Sequence, residues 1–330
     1  VPMSRWVVGV DIGGTNLVVG LIPVEGGAPM GLRSRATNPE RGADACVDDI
    51  VRMAEAAIEE TLAEYGGSRA DVVGVGIGCP GPLDLDAGVV IATPNLGWTD
   101  YPIRDRISNP LRLSATLDND ANCATYGEYW QGAGRGVKNL VGVTLGPGIG
   151  GGVILDGRIA RGASGSAGEL GHTTIDFTGR RCACGNYGCL EAYASGPNIA
   201  ARAREGLEVG YESVLTELVD GDLERLTALT VYEALVLGDE YAHEVMRETA
   251  KILGAGIANI VNLLNPEVVV VVGGVTRAGD HLFVPLRSEV RRRAFASAVA
   301  ACRILPGELP ETAGVVGAAG VFVAEGMASG

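Results

Sequence analysis

The sequence predicts an α/β fold, and three observations support this prediction. Short apolar runs, such as residues 7–11 and 72–78, have the length and the valine-rich composition of buried strands. Longer stretches with apolar side chains at helical spacing, of which residues 43–65 are the clearest, separate several of these runs. A strand, glycine turn, strand pattern near the start recurs from residue 140 onward. Strands that alternate with helices are typical of α/β proteins.

The first third of the chain begins with two strands on either side of a tight glycine turn. The predicted elements are a strand over 7–11, the turn GGTN at 13–16, a strand over 17–22, an amphipathic helix over 43–65, a strand over 72–78 and the turn CPGP at 79–82. The turn at 13–16 is too short to hold a helix, so the first two strands form a hairpin.

The rest of the chain repeats this hairpin and adds most of the helices. The predicted elements are a strand that ends at 116–118, a helix from Asn119 through Tyr129, strands over 140–145 and 153–156 around a glycine loop at 146–152, mostly helical sequence over 198–255, a helix over 249–265, a strand over 267–272 and a final helix over 314–325. Asn119 is a favoured helix N-cap residue type. The second hairpin indicates a weak internal duplication rather than a solenoid, which needs several copies of a short period.

Composition predicts a cytoplasmic globular protein. A chain of 330 residues has about the length of two domains, and 47% hydrophobic residues suffice for a large core. The longest apolar stretches are far short of the roughly 20 residues that a membrane-spanning helix needs, and no signal-peptide pattern opens the sequence. A net charge of −14 argues against nucleic acid and anionic membranes as partners, since both need clustered basic residues.

Glycine-rich turns indicate where phosphate groups would bind. Gly146, Gly148 and Gly151 fit the dinucleotide-binding pattern G-x-G-x-x-G, but that site needs a helix after the loop, and here a strand follows. One glycine hairpin alone is as readily a plain tight turn. Two such hairpins and the late pair Gly273-Gly274 favour a nucleotide, because turn amides without side chains can approach phosphate oxygens closely.

Asp11 lies just before the first of these turns. Two roles are open for its carboxylate. It is either a strand-end group that caps the turn, or a group that contacts a magnesium ion through water.

His172, Cys182, Cys184 and Cys189 form the sharpest local signal. Three of the seven cysteines fall within the eight residues 182–189. A Cys3His set suits a tetrahedral structural zinc site in which protein fills all four positions. Reduced buried thiols are the alternative, and a disulfide is a third interpretation. Cys182 and Cys184 are too close in sequence to bridge comfortably, so that any bridge would involve Cys189.

Carboxylates cluster at a strand-to-helix junction and beside the cysteines. Asp118 is most simply a capping group, whereas Asp120, near the positive end of the helix dipole, suits the base in phosphoryl transfer to an alcohol. Glu169 and Glu191 bracket the cysteines. A zinc ion that gathers this segment would bring both carboxylates together, where they could bind sugar hydroxyls; without zinc, each is a solvated surface charge.

Together these motifs resemble the ROK family of bacterial sugar kinases and sugar-responsive repressors, and within it the glucokinases. The motifs occur in the family's order, as DIGGT at 11–15, DNDAN at 118–122, ELGH at 169–172 and CACGNYGCLE at 182–191, and the resemblance covers essentially the whole chain. The cysteine motif and the Glu-x-Gly-His motif are together highly specific. DIGGT alone indicates only the broader superfamily of actin-like ATPases and sugar kinases.

The resemblance implies a two-lobed actin-like (ribonuclease H-like) fold with a cleft between the lobes. The expected small lobe comprises residues 1–116 and 314–330, and the expected large lobe comprises residues 117–313 with the zinc motif. A hinge is placed near residue 116. The resemblance also implies closure of the lobes around the sugar, and a homodimer or homotetramer.

The implied activity is phosphorylation of the 6-hydroxyl of glucose by magnesium-ATP, with Asp120 as general base. Structural zinc would orient the sugar pocket, and His172 would offer one ring nitrogen to zinc and the other to the sugar. The implied sugar-contacting residues are Gly81, Asn95, Asn119, Asp120, Glu169, His172 and Glu191. The implied nucleotide-facing residues are Asp11, Gly13, Gly14, Thr15, Asn16, Gly146, Gly148, Gly273 and Gly274.

One departure from the family pattern leaves alternatives open. The family's kinases usually carry Thr or Ser between the glycines of the second loop, where this chain has Pro147, which supplies neither a hydroxyl nor an amide donor. This departure leaves open polyphosphate as donor, or a non-catalytic sugar sensor. The motifs themselves do not fix the sugar, so that mannose, fructose or an N-acetylated hexosamine are alternative acceptors. A repressor is disfavoured, since the first motif begins at Asp11 with no room ahead of it for a helix-turn-helix module.

Overall fold

The computed structural model describes residues 5–93 and 95–327. The strands are β1 (Trp6–Ile12), β2 (Asn16–Pro23), β3 (Met30–Ala36), β4 (Val72–Cys79), β5 (Leu83–Asp84), β6 (Val89–Thr93), β7 (Trp98–Tyr101), β8 (Ala115–Asn119), β9 (Leu140–Leu145), β10 (Ile149–Leu155), β11 (Arg158–Ile159), β12 (Val268–Val272) and β13 (Arg303–Pro306). The helices are α1 (Ala43–Tyr65), α2 (Ile103–Leu111), α3 (Asp120–Gln131), α4 (Glu191–Ala194), α5 (Gly196–Glu208), α6 (Leu215–Leu218), α7 (Ala228–Val236), α8 (Glu240–Leu264), α9 (Asp280–Arg293), α10 (Ala296–Ala301) and α11 (Ala313–Val321). Within the described residues, no helix is both long and apolar enough to span a membrane.

Two five-stranded sheets share one strand order. The first sheet runs β3-β2-β1-β4-β8 and the second β11-β10-β9-β12-β13. In each, the outer pair on one side is antiparallel, β2 with β3 and β10 with β11. The three strands on the other side are parallel, β1-β4-β8 and β9-β12-β13. The common order and directions support the duplication that the sequence predicts, and they confirm the α/β class.

The chain divides into two compact units. The first unit comprises Val1–Val137, Gly152–Gly168 and Glu308–Gly330, and the second comprises Lys138–Gly151 and Glu169–Gly307. Helix α3 therefore groups with the first sheet, whereas the predicted small lobe ends before it, at residue 116. The predicted hinge near residue 116 concerns movement and stays a prediction.

Both faces of the first sheet are covered. Strand β1 alternates its side chains, with Val8 and Val10 buried in one core with α1, and Val7 buried in another with Val315 of α11. Helix α11 packs against α3 so closely that a Cβ on Gly317 would lie 1.6 Å from the carbonyl oxygen of Cys123. Only glycine permits this approach, which fixes the start of α3 against the sheet.

Several predicted elements need correction. The predicted glycine loop over 146–152 is shorter, because β10 already begins at Ile149 and the turn closes with a hydrogen bond from Gly146 N to Gly148 O (2.9 Å). Gly152 is instead a packing position, where a Cβ would lie 2.4 Å from Thr125 Oγ1. The final α-helix ends at Val321, and a π-helical turn, Phe322–Gly326, follows it.

Candidate active site

The four side chains of the predicted zinc site lie together. The ligand atoms of His172, Cys182, Cys184 and Cys189 are all within 4.8 Å of one another. Cys184 Sγ and Cys189 Sγ are 3.7 Å apart, as are Cys182 Sγ and His172 Nδ1. A short turn forms the cluster, in which Cys182 N donates to Asn186 O (2.8 Å). This donor set, brought together by so few residues, matches what a tetrahedral metal requires.

The thiols of this cluster differ in their readiness to ionise. Burial, followed by hydrogen bonds to the other thiols, raises the pKa of Cys189 to about 12. The backbone amide of Asn186 has the opposite effect and lowers the pKa of the exposed Cys184. A bound cation would therefore be needed to hold all three as thiolates at neutral pH.

The cluster gathers three of the predicted sugar-contacting residues. His172 directs Nδ1 toward Cys182, while its Nε2 lies 4.0 Å from Glu169 Oε2. Glu191 Oε1 lies 3.8 Å from Cys182 Sγ, and Glu191 Oε2 accepts a hydrogen bond from the amide of Ile149 (2.8 Å). One carboxylate thus joins the cysteine cluster to the second glycine hairpin, a contact that the motifs did not predict.

The junction between β8 and α3 presents Asp120. Asn119 is the N-cap, as the sequence predicts, and its Oδ1 accepts from Ala121 N (2.9 Å) and Asn122 N (3.2 Å). Asp120 is half-buried in the first helical position, and its Oδ1 accepts from Ala121 N (2.9 Å). Gly81 lies beside the cap, since a Cβ there would be 3.8 Å from Asn119 Nδ2.

Asp11 lies near this junction, at the end of β1. Burial, and then the negative charge of Asp120, raise the pKa of Asp11 to about 7. The start of α11 closes over it, because a Cβ on Gly314 would lie 2.2 Å from Asp11 Oδ2. Two carboxylates that disfavour each other's charge in this way fit a site for a divalent cation.

The first glycine turn, Gly13 to Asn16, is held by backbone bonds. Gly13 N donates to Asn16 O (2.9 Å), and Gly14, Thr15 and Asn16 are exposed. Asn95 lies beside this turn, since a Cβ on Gly14 would be 3.8 Å from Asn95 Cβ.

The second glycine turn opens onto a cavity of about 320 Å³. Gly146, Pro147 and Gly274 line it together with mainly apolar side chains. The lining residues that sequence reasoning missed are Leu145, Gly196, Ala228, Leu229, Tyr232, Met246, Val275 and Arg277. Gly273 must be glycine, because its φ is +108° and a Cβ would lie 2.1 Å from Leu145 O.

The predicted site residues thus form two groups, one in each unit. Gly81, Asn95, Asn119 and Asp120 belong to the first unit, and Glu169, His172 and Glu191 to the second. That all seven contact one sugar stays a prediction.

Comparison with known proteins gives the family. The ROK family matches residues 7–325. A glucokinase of Halalkalibacterium halodurans is 38% identical over 95% of this chain and 94% of its own length. A putative xylose repressor of a Caldicellulosiruptor species is 34% identical over 82% of this chain and 67% of its own length.

The fold is likewise that of solved members of the family. The crystal structure of a ROK family glucokinase from Streptomyces griseus, in complex with glucose and AMPPNP, has a TM-score of 0.82 and 34% sequence identity, and the match covers 96% of this chain and 98% of that one. Both the sequence and the fold therefore agree with the motifs, and the chain belongs to the ROK family.

Proposed function

We propose that this protein is an ATP-dependent glucokinase that phosphorylates the 6-hydroxyl of glucose. The observation that carries the proposal is Asp120, a half-buried carboxylate at the first position of α3, in a chain similar over 95% of its length to a glucokinase. A carboxylate held there by a backbone amide can accept the proton of an alcohol.

In the proposed reaction, the 6-hydroxyl oxygen of the sugar forms a bond to the γ-phosphorus of ATP. The bond from that phosphorus to the β,γ-bridging oxygen breaks, ADP leaves, and the hydroxyl proton passes to Asp120. Contacts to the sugar are assigned to Gly81, Asn95, Asn119, Glu169, His172 and Glu191. Their amide, carboxylate and imidazole groups can pair with sugar hydroxyls.

The nucleotide is assigned to the glycine turns and the adjoining cavity. Gly13, Gly14, Thr15 and Asn16 of the first turn, and Gly146, Gly148, Gly273 and Gly274 of the second region, are the proposed phosphate-facing residues. The cavity's largely apolar lining suits the flat face of a purine base, which polyphosphate lacks. This feature favours ATP over polyphosphate as the donor.

Two metals fit the residues present. Asp11 is the proposed contact of the magnesium ion that accompanies ATP, and the raised pKa of this carboxyl agrees with a site made for a cation. His172, Cys182, Cys184 and Cys189 would hold a structural zinc ion. Zinc would have no open position there, so that its contribution is to orient His172 and Glu191 toward the sugar.

A non-catalytic sugar sensor is the second candidate, and Pro147 is the observation that favours it. Proline in the second turn gives the phosphates neither a hydroxyl nor an amide. A putative xylose repressor among the relatives also supports this candidate.

The proposal is tested by measuring release of ADP with magnesium-ATP and glucose. Mannose, fructose and N-acetylglucosamine are assayed in parallel. Turnover that is fastest on glucose is the expected result. Faster turnover on another sugar would keep the mechanism and change the substrate. The sensor would be the better candidate if no turnover were seen on any of the four sugars, with polyphosphate as well as ATP, while calorimetry showed that sugar binds.

A further inference from the structure

The carboxylate of Asp118 is buried and fully engaged, although the proposed reaction gives it no part. It is 1% exposed, at the end of β8. Its Oδ1 accepts from the amide of Asn119 (2.7 Å) and from Asn122 Nδ2 (2.9 Å). Its Oδ2 accepts from Arg161 Nε (2.9 Å) and Nη2 (2.6 Å). Four hydrogen bonds exceed what a simple turn cap needs.

These bonds bracket Asp120. Asn119 precedes it and Asn122 follows it in the first turn of α3, and Asp118 holds both. Asp118 thus ties the start of α3 to the end of β8 on either side of Asp120. Proton acceptance depends on such placement, because a catalytic group displaced by about 1 Å can lose roughly a hundredfold in rate.

Arg161 in turn fixes Asp118. A buried carboxylate requires a paired cation, and the bonds from Nε and Nη2, which converge on Oδ2, give the pair a defined orientation as well as charge balance. The side chain of Arg161 is 24% exposed and also contacts Glu325, which is 47% exposed. Its backbone carbonyl accepts from Ala167 N (3.0 Å), which anchors the residue at the base of a loop.

We propose that Arg161 is a positioning residue that acts through Asp118 to place the base Asp120. This inference rests on the proposed function. It assigns a kinetic role to a pair of residues that lie 43 positions apart in the sequence and that do not themselves meet the reacting atoms.

The test is a double-mutant cycle on kcat at saturating glucose and ATP. Arg161→Met and Asp118→Asn should each lower kcat roughly 10- to 100-fold, with the Kd of glucose in calorimetry changed less than about threefold. The double variant should be no slower than the slower single variant, because both changes break one chain of contacts. Arg161→Lys, which keeps the charge and loses the fork, should recover part of kcat.

Glu325→Gln is the matched control, because it removes the negative charge of another partner of Arg161 and leaves Asp118 unchanged. Its kcat should stay within about twofold of the unmodified protein.

All assays are run well below the melting temperature of each variant. If Arg161→Met does not fold, Arg161→Lys is used for the test. Losses that multiply in the double variant, or a full kcat in Arg161→Lys and Arg161→Met, would overturn the inference. Failure of the proposed function would look different, since the unmodified protein would then transfer no phosphate to any sugar.

Discussion

The two glycine hairpins occupy equivalent places in sheets of the same order, yet they are held in different ways. The first turn is secured by Thr37, the residue that follows β3. Thr37 N donates to Thr15 O (2.9 Å), and Thr37 Oγ1 donates to Gly13 O (2.8 Å). The second turn is secured by a different part of the chain. Gly196 N donates to Gly146 O (2.9 Å).

Glu191 adds the second support of that turn and ties it to the cysteine cluster. Its Oε2 accepts from Ile149 N (2.8 Å), while its Oε1 lies 3.8 Å from Cys182 Sγ. The first hairpin is therefore held by a residue next to its own sheet, whereas the second depends in part on one side chain, Glu191, that also contacts the cluster. Substitutions in the cysteine cluster, or loss of its metal, should therefore alter the conformation of the second turn and leave that of the first turn unchanged.

The largest expected loss of kcat comes from Asp120, which lies in neither hairpin. The effects of changes at the hairpins are compared with it. Asp120→Asn should lower kcat by about a thousandfold, because the amide cannot take the hydroxyl proton. The Kd values of glucose and ATP should stay within about threefold, measured by calorimetry. The exposed Asp105→Asn is the control and should be indistinguishable from the unmodified protein. Sustained turnover in Asp120→Asn would remove this residue as the base.

Loss of metal should be the next largest effect, and it acts on the cluster that contacts only the second hairpin through Glu191 among the contacts described. Cys184→Ser should abolish stoichiometric zinc in elemental analysis and lower kcat/KM for glucose roughly 10- to 100-fold, since Glu191 and His172 lose their orientation. The matched control is Cys302→Ser, outside the cluster. If the unmodified protein contained no zinc, or if Cys184→Ser retained it, the metal assignment would be wrong.

Glu191→Gln should have an intermediate effect on both ligands. The amide can still accept from Ile149 N but no longer offers a charge-assisted bond, so KM for glucose should rise about tenfold and KM for ATP about threefold. Glu212→Gln, on the surface of the same unit, is the control. A glucose effect with no change for ATP would show that Glu191 does not support the second turn.

Pro147→Thr should have the smallest effect. Restoring a hydroxyl and an amide to the second turn should lower KM for ATP by about two- to threefold, with KM for glucose unchanged. Steady-state kinetics with both substrates varied measure this. A gain of more than about tenfold would mean that Pro147 impairs the natural donor site, and would favour another donor.

Local signals carried most of the sequence predictions that the structure confirms. Helix α1 has the predicted bounds, Ala43–Tyr65, because its apolar spacing is regular and glycines flank it. Asn119 caps α3 through contacts within three residues, and the three cysteines of the cluster lie within eight residues, with His172 ten residues before the first. Such features depend on neighbours in sequence, so a single sequence reveals them.

Features that depend on distant contacts were missed. The sequence predicts a loop for the glycines after Gly148, but Gly152 is needed for the close approach of Thr125. The small sheet β5-β6-β7 has strands of two to five residues, too short for a clear alternation. The lining of the cavity beside Pro147, and the pairing of Arg161 with Asp118, join segments far apart in sequence and carry no motif.

The most direct test of the account is to identify the product. Protein incubated with magnesium-ATP and glucose is analysed by phosphorus-31 and proton nuclear magnetic resonance, beside the Asp120→Asn variant. We expect phosphate on oxygen 6 of glucose with the unmodified protein and almost none with the variant. Phosphate on another oxygen, equal product from the variant, or no phosphorylated sugar at all would contradict it.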